Sequence, residues 1–250
     1  MIPLDDRGLL LGDGLFETIL VKDGRLVLFD AHIARLQSGC VTLGLPAPDA
    51  GDALALCSDF IAQSGSTRGR HALRLTLTAG SGGRGLERPA APEPVLFAAV
   101  SPHVRPDEPA HLVTSEVRRN PAAPSGRLKT LSYIDNVFAR REAAPAEALM
   151  LNLAEEIACC AAANIFWVRS GRIFTPGLDC GALDGIMRRQ VMAAAAVEEV
   201  RAPRALLETA DAIFITSSLI GVRAVASLDG VPVKRHAAVE RLRQALEAVS

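Results

Sequence analysis

The sequence is short of the features that mark out whole classes of protein. No apolar run reaches the ~18 uncharged residues of a membrane-spanning helix, although mean hydropathy is +0.23. Neither sign of charge dominates, since 27 Lys+Arg against 28 Asp+Glu leave a formal net charge of −1. Such a balance lacks the basic footprint of a nucleic-acid binder or of a protein drawn to an anionic membrane. Cysteine is scarce and odd in number, with five residues scattered as Cys40, Cys57, Cys159, Cys160 and Cys180. That argues against a disulfide framework. The histidines stand far from the cysteine pair, so no spacing reads as a zinc site and no metal is expected. Residues 1–7 do not read as a signal peptide, and the cytoplasm is the expected compartment.

What is present suffices for one large core or two small ones, at 250 residues and 26.4 kDa. Residues 15–21 and 25–29 are β-rich runs joined by the turn Lys22-Asp23-Gly24. Asp30 is placed to cap a helix whose apolar stripe is Ile33, Leu36, Cys40 and Leu43, with His32 and Arg35 on its other face. A second amphipathic helix is predicted over 52–62. In 71–78, Leu73, Leu75 and Leu77 alternate with Arg74, Thr76 and Thr78, the pattern of a half-buried strand. A glycine-rich turn follows at Gly80-Ser81-Gly82-Gly83-Arg84-Gly85, then strands over 94–101 and 111–117. Residues 118–126, rich in proline and small side chains, read as a linker. The expected division is therefore 1–117, a linker at 118–126, and 127–250. Beyond the linker, strands are predicted at 149–153, 162–168 and 212–216, and helices at 181–199 and 237–249.

At the head of the last part stands Leu128-Lys129-Thr130-Leu131-Ser132-Tyr133-Ile134-Asp135-Asn136. Leu131, Ile134 and Phe138 are spaced to share one helix face, with Lys129 at its mouth. Taken alone, such a lysine is most often a surface residue. Held in a desolvated place, it loses its proton readily and can form a Schiff base with an aldehyde cofactor.

Several stretches together resemble one family. They are Asp6-Arg7-Gly8 with Gly12-Asp13-Gly14-Leu15-Phe16-Glu17-Thr18, then His32-Ile33-Ala34-Arg35-Leu36, the Gly80–Gly85 turn and the Lys129 segment. Ala163-Asn164-Ile165-Phe166, Gly181-Ala182-Leu183-Asp184-Gly185-Ile186 and Thr216-Ser217-Ser218-Leu219 complete the set. In this order they resemble the class IV aminotransferases, the fold-type IV group of pyridoxal phosphate (PLP) enzymes. That group includes branched-chain and D-amino-acid aminotransferases and aminodeoxychorismate lyase, and the Gly80–Gly85 turn is most similar to the lyase branch. The resemblance implies an α+β, two-domain fold with a small N-terminal α/β domain and a larger, β-barrel-like C-terminal domain with helices. It also implies a homodimer.

The resemblance assigns roles residue by residue. Lys129 is similar to the Schiff-base lysine that anchors PLP and then carries the proton. Arg35 is similar to the phosphate clamp, a forked cation for a dianion. Gly185 and Ile186 open a helix whose N–H groups suit phosphate, and Thr216 and Ser217 supply a second contact. Asn164 joins the cofactor shell. Arg84 is similar to the contact for a substrate carboxylate. Tyr133, the single tyrosine, is a candidate for the cofactor's ring oxygen, one position before the family's usual tyrosine.

Four departures stand out: Cys159 falls where the family has the glutamate that holds a proton on the pyridine nitrogen. Met187 replaces a phosphate-contacting threonine, and Ala79 and Leu11 replace an arginine and an aromatic. Glu155 is about 13 Å along the strand from Cys159, too far to substitute. A lyase that expels pyruvate from aminodeoxychorismate is the reading these residues favour. The alternatives are an aminotransferase for D- or branched-chain amino acids, and a degenerate relative with weak or no catalysis because of Cys159.

Overall fold

The structure, a computed structural model, describes residues 2–250. Its contacts divide the chain into two compact units. One holds residues up to Arg105 together with Leu128–Ser132, and the other holds Pro106–Arg127 with Tyr133–Ser250.

The first unit is an antiparallel sheet in the order β2-β1-β3-β4, comprising β1 (Gly14–Lys22), β2 (Arg25–Leu26), β3 (Arg70–Thr78) and β4 (Val95–Pro102). β1 and β3 pair without a break from Gly14↔Thr78 to Lys22↔Arg70. Strand side chains alternate between faces, so Leu15, Ile19 and Val21 join Leu73, Leu75 and Leu77 on one side. There they meet Ile33, Leu36 and Cys40 of a helix and Ala53, Cys57 and Ile61 of another. These are α2 (Phe29–Leu43) and α3 (Ala50–Gln63), preceded by a short α1 (Arg7–Leu11). The predicted α2 stripe is thus the one buried. Its start differs: Leu28, at φ 55°, precedes Phe29, and Asp30 falls in the first turn. The expected second strand shrinks to Arg25–Leu26 because Phe29, 8% exposed, turns into the core.

In the second unit, nine strands among the described residues form one curled sheet. In chain order they are β5 (Ala110–Thr114), β6 (Glu147–Leu151), β7 (Ile157–Cys160), β8 (Asn164–Arg169), β9 (Arg172–Pro176), β10 (Val197–Val200), β11 (Ala212–Ser217), β12 (Gly221–Leu228) and β13 (Val231–Pro232). Their order in space is β10-β9-β8-β11-β12-β5-β6-β7, with β13 on β12. Ile165, Trp167, Ile213 and Ile215 build a core on one face with Leu112 and Leu149. Phe166, Val168 and Phe214 build another, with residues of α5 (Ile186–Ala194) and α6 (Ala237–Ala245). α4 (Ile134–Ala143) sets Ala139 and Ala143 against Ala148 and Met150. No described helix is long and apolar enough to cross a membrane.

Four further expectations change. Residues 110–114 belong to the second unit, where β5 pairs in parallel with both β12 and β6. Residues 128–132 belong to the first, drawn onto β1. The helix expected over 181–199 ends at Ala194, because Val197 to Val200 pair in parallel with β9. The helix after Lys129 begins only at Ile134. It buries Asn136, Ala139 and Ala143, while Ile134, Val137 and Phe138 are 59%, 58% and 44% exposed.

Candidate active site

Lys129 is held by its own backbone. Its carbonyl accepts from Phe16 N–H at 2.9 Å, and Leu131 N–H donates to the Gly14 carbonyl at 3.0 Å. The segment is thus an extra extended edge on β1, rigid enough to aim a side chain. The residue is half-buried, with Nζ 4.0 Å from the centroid of the Phe16 ring. Arg74 Cζ lies 3.6 Å from the same centroid. Desolvation takes the Lys129 ammonium from 10.5 down to about 7, Arg35 and Arg74 push the same way, and Glu17 opposes. Near pH 7, much of the population is therefore a neutral amine, able to act as nucleophile or base.

Arg35 faces β1. Its Nε donates to Glu17 Oε1 at 2.7 Å and its Nη2 to Oε2 at 2.6 Å. His32 Nδ1 lies 2.7 Å from Glu17 Oε2. Glu17 and His32 are each 1% exposed. Burial raises the Glu17 carboxyl, but hydrogen bonds from His32 and Arg35 more than offset it, so the group is held below its ordinary range. One anion thereby fixes Arg35 and biases the lysine. A glutamate inside the mostly apolar run of β1 was the signal available in the sequence, since a buried carboxylate requires partners. Arg84, on the glycine-rich turn of this unit, is exposed.

The second unit gathers the other expected contacts. β8 and β11 pair Asn164 with Thr216. Asn164 Nδ2 donates to the Leu183 carbonyl at 2.8 Å, holding the turn that leads into α5. Gly185 occupies the N-cap of α5 with no side-chain cap bond. A Cβ there would lie 2.0 Å from Asn164 Oδ1, so a larger residue would displace the Asn164 amide. Ser217 ends β11, opposite Gly221. Met187 and Ile186 are 1% and 2% exposed, and Met187 packs in the core with Phe166 and Phe214. These two residues therefore offer backbone N–H groups and not side chains. The Thr216 hydroxyl is buried without a hydrogen-bond partner among the described residues. An uncapped helix N-terminus and an orphaned buried hydroxyl on adjacent elements match a phosphate oxyanion, so the residues fit PLP.

Cys159 lies on β7 opposite Met150 and is 5% exposed. Burial pushes its thiol up, opposed by the positive charge of Arg119 and reinforced by Glu147. Arg119, assigned to a linker from composition, donates to the carbonyls of Gly181 at 3.2 Å and Gly126 at 2.7 Å. Glu155 is engaged elsewhere, by Arg118 at 2.6 and 3.0 Å. Tyr133 occupies the N-cap of α4, half-buried.

A family model described as amino-transferase class IV matches residues 14–228. The chain belongs to that family. PLP is the cofactor of class IV aminotransferases, and the chain is a PLP-dependent enzyme acting on amino groups. Among curated relatives it is 29% identical to an aminodeoxychorismate lyase of Vibrio harveyi, over 98% of this chain and 94% of that one. It is 28% identical to a D-alanine aminotransferase of Listeria monocytogenes, over 93% and 84% of the two chains. The crystal structure of 4-amino-4-deoxychorismate lyase from Pseudomonas aeruginosa superposes with a TM-score of 0.88 at 29% identity. That match covers 99% of this chain and 95% of the other. These class IV enzymes share the α+β architecture of two curled sheets seen here.

Proposed function

We propose that the enzyme is a lyase of the aminodeoxychorismate type, expelling pyruvate from a substrate that carries both an amine and a carboxylate. The chemistry rests on Lys129, an amine held near neutrality by desolvation and two guanidinium groups, which serves either reaction; the lyase is favoured by the neutral thiol of Cys159 where the family has a carboxylate. The similarity to the Vibrio lyase over almost the whole chain points the same way.

PLP, when bound, supplies an electron sink for the substrate's amine-bearing carbon. The chain's own residues do the rest. The N–H groups of Ile186 and Met187 past Gly185 would donate to the phosphate, joined by Thr216 and Ser217; Arg35, held by Glu17, is a forked cation suited to such a dianion. Asn164 keeps the Gly185 turn in place, and Tyr133 offers a hydroxyl for the ring oxygen. Arg84 offers a guanidinium to the substrate carboxylate. Neutral Lys129 removes the proton from the amine-bearing carbon as the carbon–oxygen bond to the pyruvyl group breaks, then delivers it to the departing pyruvyl carbon. Cys159, a neutral thiol where a carboxylate would hold a ring proton, weakens the sink. A leaving group that departs as the proton is lost tolerates that weakness better than transamination does.

Transamination of D- or branched-chain amino acids is the second reading, favoured by the similarity to the D-alanine aminotransferase. Within this proposal the enzyme is a cytoplasmic homodimer. Pyruvate release from aminodeoxychorismate, followed beside PLP-to-amine conversion with D-alanine and L-leucine, decides between the readings. We expect pyruvate from wild type and none from Lys129→Ala. Rapid amine-form conversion with no pyruvate overturns the lyase.

A further inference from the structure

The glycine-rich turn that carries Arg84 is gripped from inside by one buried cation. Arg7, the first residue of α1, is 5% exposed. Its Nη1 donates to the Glu87 carbonyl at 2.8 Å and its Nη2 to the Leu86 carbonyl at 3.0 Å. Two longer contacts reach Gly85 O at 3.4 Å and Gly82 O at 3.5 Å; the short pair carries most of the interaction. Arg7 Nε donates to Asp13 Oδ2 at 3.0 Å. Asp13 is tied in turn by Arg88, from Nε at 2.9 Å and Nη2 at 2.5 Å. The turn's start is pinned as well, with Arg7 N–H donating to Gly80 O at 2.9 Å. Around this post the backbone takes left-handed values, including φ 80° at Gly83, where a Cβ would lie 2.0 Å from Glu87 O.

This is an unusual use of a buried charge. Backbone carbonyls in a surface turn can be solvated by water, so the fold does not need a desolvated guanidinium to satisfy them. α1 itself leaves Leu9, Leu10 and Leu11 exposed, so the helix adds little core. What the arrangement fixes is the path of residues 82–87, in the middle of which Arg84 remains exposed.

We infer that Arg7 is a positioning residue for substrate recognition, holding the turn so that Arg84 is presented to the substrate's carboxylate. This rests on the Arg84 role proposed above. The test is a double-mutant cycle in the PLP-loaded enzyme, with aminodeoxychorismate as substrate. Arg84→Ala and Arg7→Gln should each raise KM about tenfold, the scale of one lost hydrogen bond to a charged group. The kcat and the PLP affinity should stay close to wild type, and Arg7→Gln should add nothing in the Arg84→Ala background. Gly83→Ala, which disturbs the same carbonyl from the turn's side, should reproduce the KM effect if Arg7→Gln folds poorly. In cofactor-free protein, Arg7→Gln should also speed tryptic cleavage after Arg84 while leaving other sites unchanged. KM effects that multiply in the double variant, or a fall in kcat and PLP affinity together, make Arg7 merely structural and overturn the inference alone. An unchanged KM in Arg84→Ala overturns the carboxylate role, and the inference with it.

Discussion

Lys129 is set by neighbours that pull in opposite directions, since Arg35 and Arg74 discourage its charge and Glu17 supports it. Removing the anion should therefore move the lysine further down. In cofactor-free Glu17→Gln, the midpoint of the pH–rate profile for acylation of Lys129 is expected below the wild-type value of about 7. The same change releases Arg35, and PLP retention should fall roughly 10-fold or more, as when a bond to a charged partner is lost. A midpoint that stays put means the carboxylate does not reach the lysine. Cys159 makes the opposite case, a group that burial keeps neutral. Cys159→Glu should speed single-turnover conversion of PLP to its amine form by D-alanine. Fast wild-type conversion, unchanged or slowed in the variant, would show that the ring proton has another source. Lys129 and Cys159 were singled out in the sequence through resemblance. The Glu17–Arg35–His32 cluster was not, because it joins a strand to a helix face through contacts 15 and 18 residues apart.

Elements were read best where one face is buried against a single layer. The apolar faces of β3 and α2 needed only the period and are faces that pack, although Thr76 and Thr78 on the other face of β3 are buried as well. Reading failed where tertiary pairing outweighs local preference. Val197 to Val200 continue a helix-friendly run, yet pair in parallel with β9. Residues 118–126 look like a linker, yet Arg119 is bonded to Gly181 O, 62 residues away. The N-terminus of α5 provides an element-scale prediction. Gly185→Ala places a Cβ 2.0 Å from Asn164 Oδ1, so the Asn164 amide must move, disturbing its bond to Leu183 O that holds the turn before α5. PLP affinity should fall about 10-fold or more, measured by titrating cofactor-free protein. Undiminished affinity would remove α5 from the phosphate site.

At the scale of the whole molecule, the lysine has a cost in stability. Its folded value of about 7 lies below the 10.5 of the unfolded chain, so the folded state binds fewer protons between those limits. The penalty is full below about pH 7 and fades as pH rises towards 10.5. Cofactor-free Lys129→Met should therefore melt above wild type at pH 6, by roughly 2–4 °C per kcal/mol relieved, with the gap closing towards pH 10. A gap that is constant with pH would mean the amine is not depressed. The placing of residues 128–132 in the first unit was not legible; it depends on backbone bonds to Phe16 and Gly14. Lys129 is the side chain on which the chemistry depends, and borohydride reduction of PLP-loaded enzyme followed by peptide mapping tests its role most directly. The phosphopyridoxyl label should fall on Lys129 alone and be absent from Lys129→Ala. Label on any other lysine, or a wild-type enzyme that takes up no PLP at saturating cofactor, would contradict it.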